Sequence, residues 1–351
     1  MIKKDLEKVK FYIGPMSKNI VDTIVDFSIK EDYKIGLIPS RRQIDWNSGY
    51  VNRWTTDKFI AYLSNRKNLI LERDHGGFGQ VDIDKKKENN HIVSFFCDAQ
   101  GVKGFAEKYT IDKKLLKRFD IIHIDPWCSQ KNFQKGLNET VKNIKYINNL
   151  NDDCLFEIGT EESIYHFDEI MLEKMLFYLK NNLGRIFDKI VYCVIQSGTK
   201  LEGTKNTGHF DLDRLKKMIE VCNKYEVLSK EHNGDYLTLK DFKIRFDAGL
   251  SAINIAPEFG VFETDVLLEH MTEEQQDTFF RICYKSNKWI KWVSNDFEPF
   301  ENKTELMRIC GHYQFSTPEF LDMNINIDNI IREKLYNKIK EITNYEKNII
   351  H

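Results

Sequence analysis

Eight short apolar or β-branched runs recur along the chain, and helix-length segments separate them. The runs are FYIGPMS (11–17), IGLIPSR (35–41), NLILERDH (68–75), DIIHIDPW (120–127), CLFEIGTEE (154–162), KIVYCVIQSG (189–198), YEVLSKEHNGD (225–235) and SAINIAPEFG (251–260). Most are apolar on both parities, as strands buried on both faces of a parallel sheet must be. The intervening segments KNIVDTIVDFS, TTDKFIAYLSN, LNETVKNIKYINNL, EIMLEKMLFYLKNNLG and FDLDRLKKMIEVCNKY place apolar residues near i, i+3, i+4 and i+7, the helical stripe. Thr55 or Thr56 can cap one of these helices, Asp211 or His209 can begin another, and Gly184 fits the end of a third. Strand alternating with helix predicts an α/β fold with a parallel sheet, and eight such units predict a (β/α)8 barrel. The alternative is an open doubly wound sheet, but no G-x-G-x-x-G follows the first strand. After the eighth run the chain turns helical and aromatic. The expected organisation is a barrel over 1–265, then the last barrel helix and a helical C-terminal extension packed on it over 266–351, a single domain overall.

The 351 residues, 41% of them hydrophobic, are ample for a large core. A net charge of −2 predicts neither a nucleic-acid nor a membrane partner. No apolar run approaches the roughly 18 residues of a membrane helix. The N-terminal MIKKDLEKVK has no apolar signal-peptide core, and the seven cysteines show no C-x-x-C spacing. A cytoplasmic protein with reduced thiols is expected.

The runs share a further property: most end in polar or reactive side chains. These are Ser40-Arg41-Arg42, Asp74-His75, His123 and Asp125, Glu157 with Thr160-Glu161-Glu162, Gln196-Ser197, Glu231-His232-Asn233 with Asp235, and Asn254 with Glu258. In a barrel these ends lie on one face, where the βα loops build the active site. A catalytic zinc needs about three N or O ligands and an open position. His75, His123 and His232 end three different predicted strands and are the expected ligands, with Asp74, Asp125, Glu157 and Asp235 as nearby carboxylates. Proton transfer is expected of Asp74, Glu157 or Asp125. Arg41 and Arg42, with Arg53 further along the same loop, suit an anionic substrate group because a guanidinium binds oxyanions in a fork. The segment QSGTKLEGTKNTGHFD offers Gln196, Ser197 and the backbone of Gly198 for the same purpose, and Asn254 and Glu258 complete the expected substrate contacts. Lys230 is a candidate Schiff-base lysine for a metal-free aldol reaction. His91, His166, His209, His270, His312 and His351 fall in loops, helices or the tail and are weaker ligand candidates.

The order of these motifs resembles the large "Z" subunits of the class II tagatose-1,6-bisphosphate aldolase family. Those subunits are also described as non-catalytic or chaperone-like, and were once labelled tagatose-6-phosphate kinases. The matching pieces are SGYVNRWTTDKF, RDHGG, IHIDPW, EIGTEE, VIQSGT, EHNGDYLT and AINIAPEFGVFETDVL, with the aromatic KWIKWV and GHYQFSTPEF beyond them. A group of sugar-acid epimerases that interconvert tagaturonate and fructuronate is similar at this level. The resemblance implies a TIM barrel that acts on a phosphorylated or acidic ketose by aldol cleavage or epimerisation. It implies a divalent metal, zinc by analogy, with His75 as ligand and Asp74 handling a proton. It equally implies the alternative of a non-catalytic subunit that stabilises a separate catalytic aldolase, and homo-oligomers are compatible with both. The sequence has no P-loop, which argues against a sugar kinase. The stretches DHGGFGQ, IDPW and GTEESIYHF depart from the family pattern where the pocket is expected, so the substrate need not be tagatose bisphosphate.

Overall fold

The computed structural model describes residues 3–63, 67–87, 89–100, 118–159 and 167–345. All eight runs form strands: β1 (Phe11–Ile13), β2 (Ile35–Leu37), β3 (Leu69–Gly76), β4 (Ile121–Ile124), β5 (Leu155–Gly159), β6 (Ile190–Ile195), β7 (Leu228–Glu231) and β8 (Ala252–Ile255). Each pairs in parallel with its neighbours in sequence, and β8 pairs with β1, so the sheet closes into a barrel. Except for β3, which matches its run in length and extends one residue past it, the strands are shorter than the runs that encode them. The described surplus residues at the C-terminal ends lie in the loops of the barrel mouth.

Among the described residues, eight helices follow the eight strands and cover the barrel: α1 (Lys18–Lys30), α2 (Thr56–Tyr62), α3 (Asn90–Gln100), α4 (Phe133–Leu150), α5 (Glu169–Leu183), α6 (Leu212–Lys224), α7 (Leu239–Asp247) and α8 (Pro257–His270). Several of their starts are capped by side chains that accept orphan backbone N–H groups: Ser17 takes that of Ile20, Thr55 that of Lys58, and Asp211 those of Asp213 and Arg214. Gly184 closes α5 at φ 56°. The helix after the eighth strand spans Pro257–His270, and a second helix, α9 (Glu273–Ser286), begins three residues later. The extension goes on with α10 (Lys303–Cys310), a single turn at Pro318–Leu321 and α11 (Asp328–Thr343), and Leu306, Ile331 and Leu335 share one apolar core with the barrel helices. No helix among the described residues is long and apolar enough to cross a membrane.

Residues alternate across each strand, so positions two apart point into the barrel together. Tyr12, Ile38, Ile70, Ile121, Val191, Tyr192 and Ala252 form a small inner core separate from the large one under the helices. Above it the interior turns polar. Glu72, Glu157 and Lys230 are each at most 1% exposed. Arg73, on the opposite parity of β3, is also fully buried. It makes two bonds to Asp98 of α3 (2.8 and 2.7 Å) and donates to the carbonyls of Pro39 and Ile44. This one guanidinium clamps the β2 loop and α3 to β3.

Removing one partner of such a buried pair leaves the other charge uncompensated. Arg73→Met is expected to cost roughly 3–5 kcal/mol in urea denaturation. His312, in the extension, is buried with neither ring nitrogen bonded, and burial lowers it from 6.5 to about 3. The unfolded chain therefore binds this proton below pH 6.5 while the folded chain refuses it until about pH 3. Its contribution is present above 6.5 and is lost as pH falls, by up to about 1.4 kcal/mol per unit. Stability curves from pH 7 to 4 should be flatter for His312→Leu than for the wild type.

Candidate functional site

The end of β3 does what a regular strand cannot. Arg73 pairs with Ile122 of β4 and Gly76 with Ile124, so two residues of β3 face one of β4, a bulge. His75 takes φ 44° to accommodate it. The bulge turns the adjacent side chains of Asp74 and His75 into the same space. The glycines that follow are needed for close approach. A Cβ on Gly76 would lie 2.7 Å from the His123 carbonyl oxygen, and one on Gly77, at φ 134°, 2.8 Å from that of Asp125.

His123 enters from β4 and His232 from just beyond β7. The imidazole centroids of His75, His123 and His232 form a nearly equilateral triangle with sides of 5.1, 5.2 and 5.2 Å. One donor atom from each histidine and one from Asp74 all lie within 4.8 Å of one another. Carboxylates orient the rings. His75 Nδ1–H donates to Asp125 Oδ2 at 2.7 Å, and His232 Nε2–H donates to Glu157 Oε1 at 2.9 Å. His123 Nδ1 accepts the His75 backbone N–H at 3.3 Å. Asp74 Oδ1 is buried with no hydrogen-bond partner, 3.7 Å from His75 Nε2 and 3.9 Å from His123 Nδ1. Three imidazoles, two of them held by outer carboxylates and the third by a backbone N–H, around an orphaned carboxylate oxygen, fit a divalent cation.

Charge below this cluster is closely balanced. Lys230 Nζ lies 2.7 Å from Glu72 Oε2 and 2.8 Å from Glu157 Oε2, and 3.7 Å over the Tyr12 ring. Burial works against the ammonium, but Glu157 and Glu72 outweigh it and hold Lys230 above its ordinary range. Burial opposes the Glu157 carboxylate too, yet Lys230 and the histidines keep it well below the usual range. Glu72 is raised well above the usual carboxylate range by burial and by Glu157. Asp74 is lowered because His75, His123 and His232 outweigh its burial, and His232 is lowered by burial. Asp235 is pushed up to about 7 by burial and by Glu258.

A cavity of about 1010 Å³ opens above the cluster, lined among others by Asp74, His75, His232, Asp235 and Asn254. The other expected contacts divide between cavity and scaffold. Arg42, Gly198 and Asn254 line it, and Asn254 Oδ1 is buried there without a partner. Arg41 borders it, but its guanidinium is spent on Asp45, Asp84 and the Gly77 carbonyl. Gln196 Oε1 accepts from Arg214 and the Phe167 N–H, Ser197 donates to Glu231, and Glu258 accepts from Lys338 and the Tyr236 N–H. These three act as struts rather than as open substrate contacts. Arg53 donates to the Ser316 carbonyl. Thr160, Glu161, Glu162, His166 and His351 lie outside the described residues. Lys291, Trp292 and Tyr313 of the extension also line the cavity. The signal for Lys291 and Trp292 in the sequence is the basic-aromatic run KWIKWV, and for Tyr313 the run GHYQF; neither carries a register relative to the barrel.

No family model matches the chain, and none of the curated proteins does. Among solved structures it is similar to a probable tagatose 6 phosphate kinase from Sinorhizobium meliloti 1021, with a TM-score of 0.69 and 14% identity over 93% of this chain and 87% of that one. It is also similar to a fructose-bisphosphate aldolase from Campylobacter jejuni, with a TM-score of 0.50 and 13% identity over 93% of this chain and 90% of that one. The chain shares the TIM-barrel fold of both.

A neutral lysine is needed to form a Schiff base, and Lys230 is charged and sealed. Borohydride reduction with a ketose phosphate is expected to leave the intact mass unchanged. A stable adduct on Lys230 would show that its amine is neutral and reachable.

Proposed function

We propose that the barrel mouth is the active site of a cytoplasmic, metal-dependent enzyme that cleaves or epimerises a phosphorylated or acidic ketose. On this reading the barrel and its C-terminal helices work as one unit. The observation that carries the proposal is the meeting of Asp74, His75, His123 and His232, with donor atoms within 4.8 Å. His75, His123 and His232 would hold the metal, zinc by ligand type. Bound there, it would supply Lewis acidity for a ketose carbonyl.

The protein's own residues divide the remaining work. Asp74 is ionised, and its unpartnered Oδ1 can take a proton from a substrate hydroxyl or from a carbon next to the carbonyl. Glu157 and Asp125 suit orientation instead. Glu157 is sealed beneath the cluster and tied to Lys230 and His232, while Asp125 holds His75 Nδ1. Asn254 Oδ1 lacks a donor and can accept one from a sugar hydroxyl. The two solved structures of similar fold carry sugar-phosphate names, which agrees with this substrate class.

Metal analysis of the purified chain should find close to one equivalent. His75→Ala and His232→Ala should lower metal content and activity together. Asp74→Asn should retain metal and lose on the order of 10²–10⁴ in kcat. A metal-free protein whose two histidine variants stay active would sink the mechanism. The assay uses the chain alone with ketose phosphates. Activity that appears only when a separate aldolase is added would favour the stabilising-subunit reading.

A further inference from the structure

The cavity is lined by five Arg and Lys side chains, Arg41, Arg42, Lys200, Arg214 and Lys291. Three are engaged. Arg41 is paired with Asp45 and Asp84, Lys200 with Glu202 at 2.5 Å, and Arg214 donates to Gln196 Oε1 and the Phe167 carbonyl. The other two differ. Arg42 gives its Nε–H to the neutral carbonyl of Gln80 at 2.9 Å and lines the cavity. Lys291 Nζ lies over aromatic rings, 4.4 Å from the Trp292 centroid and 5.7 Å from that of Tyr313. Neither cation has a carboxylate partner among the described residues.

We propose that Arg42 and Lys291 form a subsite for the phosphoryl group of a phosphate monoester, half of it supplied by the barrel and half by the C-terminal extension. This deepens the proposed function and rests on reading the histidine cluster as the carbonyl end of the same cavity. Two unpaired cations match a dianion, whereas a single carboxylate would leave one of them uncompensated. A guanidinium fork beside a point-charge ammonium is a common phosphate pairing. Burial and the nearby Arg42 and Lys288 lower the Lys291 ammonium to about 8, against the opposing pull of Asp82. An anion set between Arg42 and Lys291 would relieve that repulsion. The loop at Gln80 links the two ends of the cavity. Its carbonyl anchors Arg42, and its Nε2 donates at 3.0 Å to Asp125 Oδ2, the oxygen that accepts His75 Nδ1–H. A phosphoryl group on Arg42 would thus sit one loop from the residue that orients a proposed metal ligand.

The test is titration calorimetry of the full chain with inorganic phosphate at fixed ionic strength. The wild type should bind it. Lys291→Ala and Arg42→Ala should each weaken binding about tenfold or more, while Lys285→Ala, an exposed change on α9, should bind as the wild type does. All variants should keep wild-type metal content, which reports an intact barrel mouth. Absence of phosphate binding, wild-type affinity in the Arg42 and Lys291 variants, or acetate binding as tightly as phosphate would overturn the proposal. If no metal binds but phosphate binding still depends on Lys291, the subsite stands and the metal mechanism falls. If metal binds and phosphate binding is indifferent to Lys291, the subsite falls alone.

Discussion

The barrel is organised around a lysine that has no access to water. An ammonium at the centre of a barrel is tolerable only if compensating charge comes with it. Lys230 brings Glu72 and Glu157 to within 2.8 Å from strands on other sides of the barrel, and the faces of Tyr12 and Tyr192 close around it. The consequence is felt one layer up. Glu157, kept ionised by Lys230, turns its other oxygen to His232 Nε2 and lies 3.4 Å from His123 Nδ1. Lys230, by sequence only a candidate Schiff-base lysine, serves as the counter-ion of the carboxylate that holds His232. The floor is equally constrained. A Cβ on Gly36 would fall 2.0 Å from the Tyr12 ring, so glycine lets that ring fill the interior and its hydroxyl reach Tyr192.

The second constraint is geometric. In a regular strand Asp74 and His75 would point to opposite faces. The bulge against β4 and the left-handed backbone at His75 let both reach one space. The glycines after them let that backbone pass close to the ends of β4, where His123 and Asp125 enter. One irregularity therefore supplies a carboxylate, an imidazole and the room for their partners.

Polar residues at equivalent strand ends met different fates. Arg41 and Arg42 are neighbours, yet Arg41 is neutralised by Asp45 and Asp84 and braces the β2 and β3 loops, while Arg42 faces the cavity. Ser197 and Gln196 likewise hold neighbouring elements, and Gly198, next in the chain, borders the cavity. Glu258 was expected to touch substrate and instead accepts from Lys338 of α11, which ties the extension to the top of β8. Each outcome depends on a partner contributed by a distant segment, and local pattern carries no information about such partners.

The sequence by itself determined the eight-fold alternation of strand and helix, helix starts at Thr55–Thr56 and near His209–Asp211, and the clustering of Asp74, His75, His123, Glu157 and His232 at strand ends. These follow from periodicity and from chemistry confined to a few neighbouring residues. Only the tertiary structure decided which carboxylates became counter-ions and which remained unpaired. It also brought Lys291 and Trp292, far along the chain, to the mouth of the barrel beside Arg42. The physical reason is that charge state and exposure depend on what lies within a few ångströms in space. Closing the sheet brings together residues far apart in the chain: Glu72 and Lys230 are 158 positions apart, and Tyr12 and Tyr192 are 180 apart.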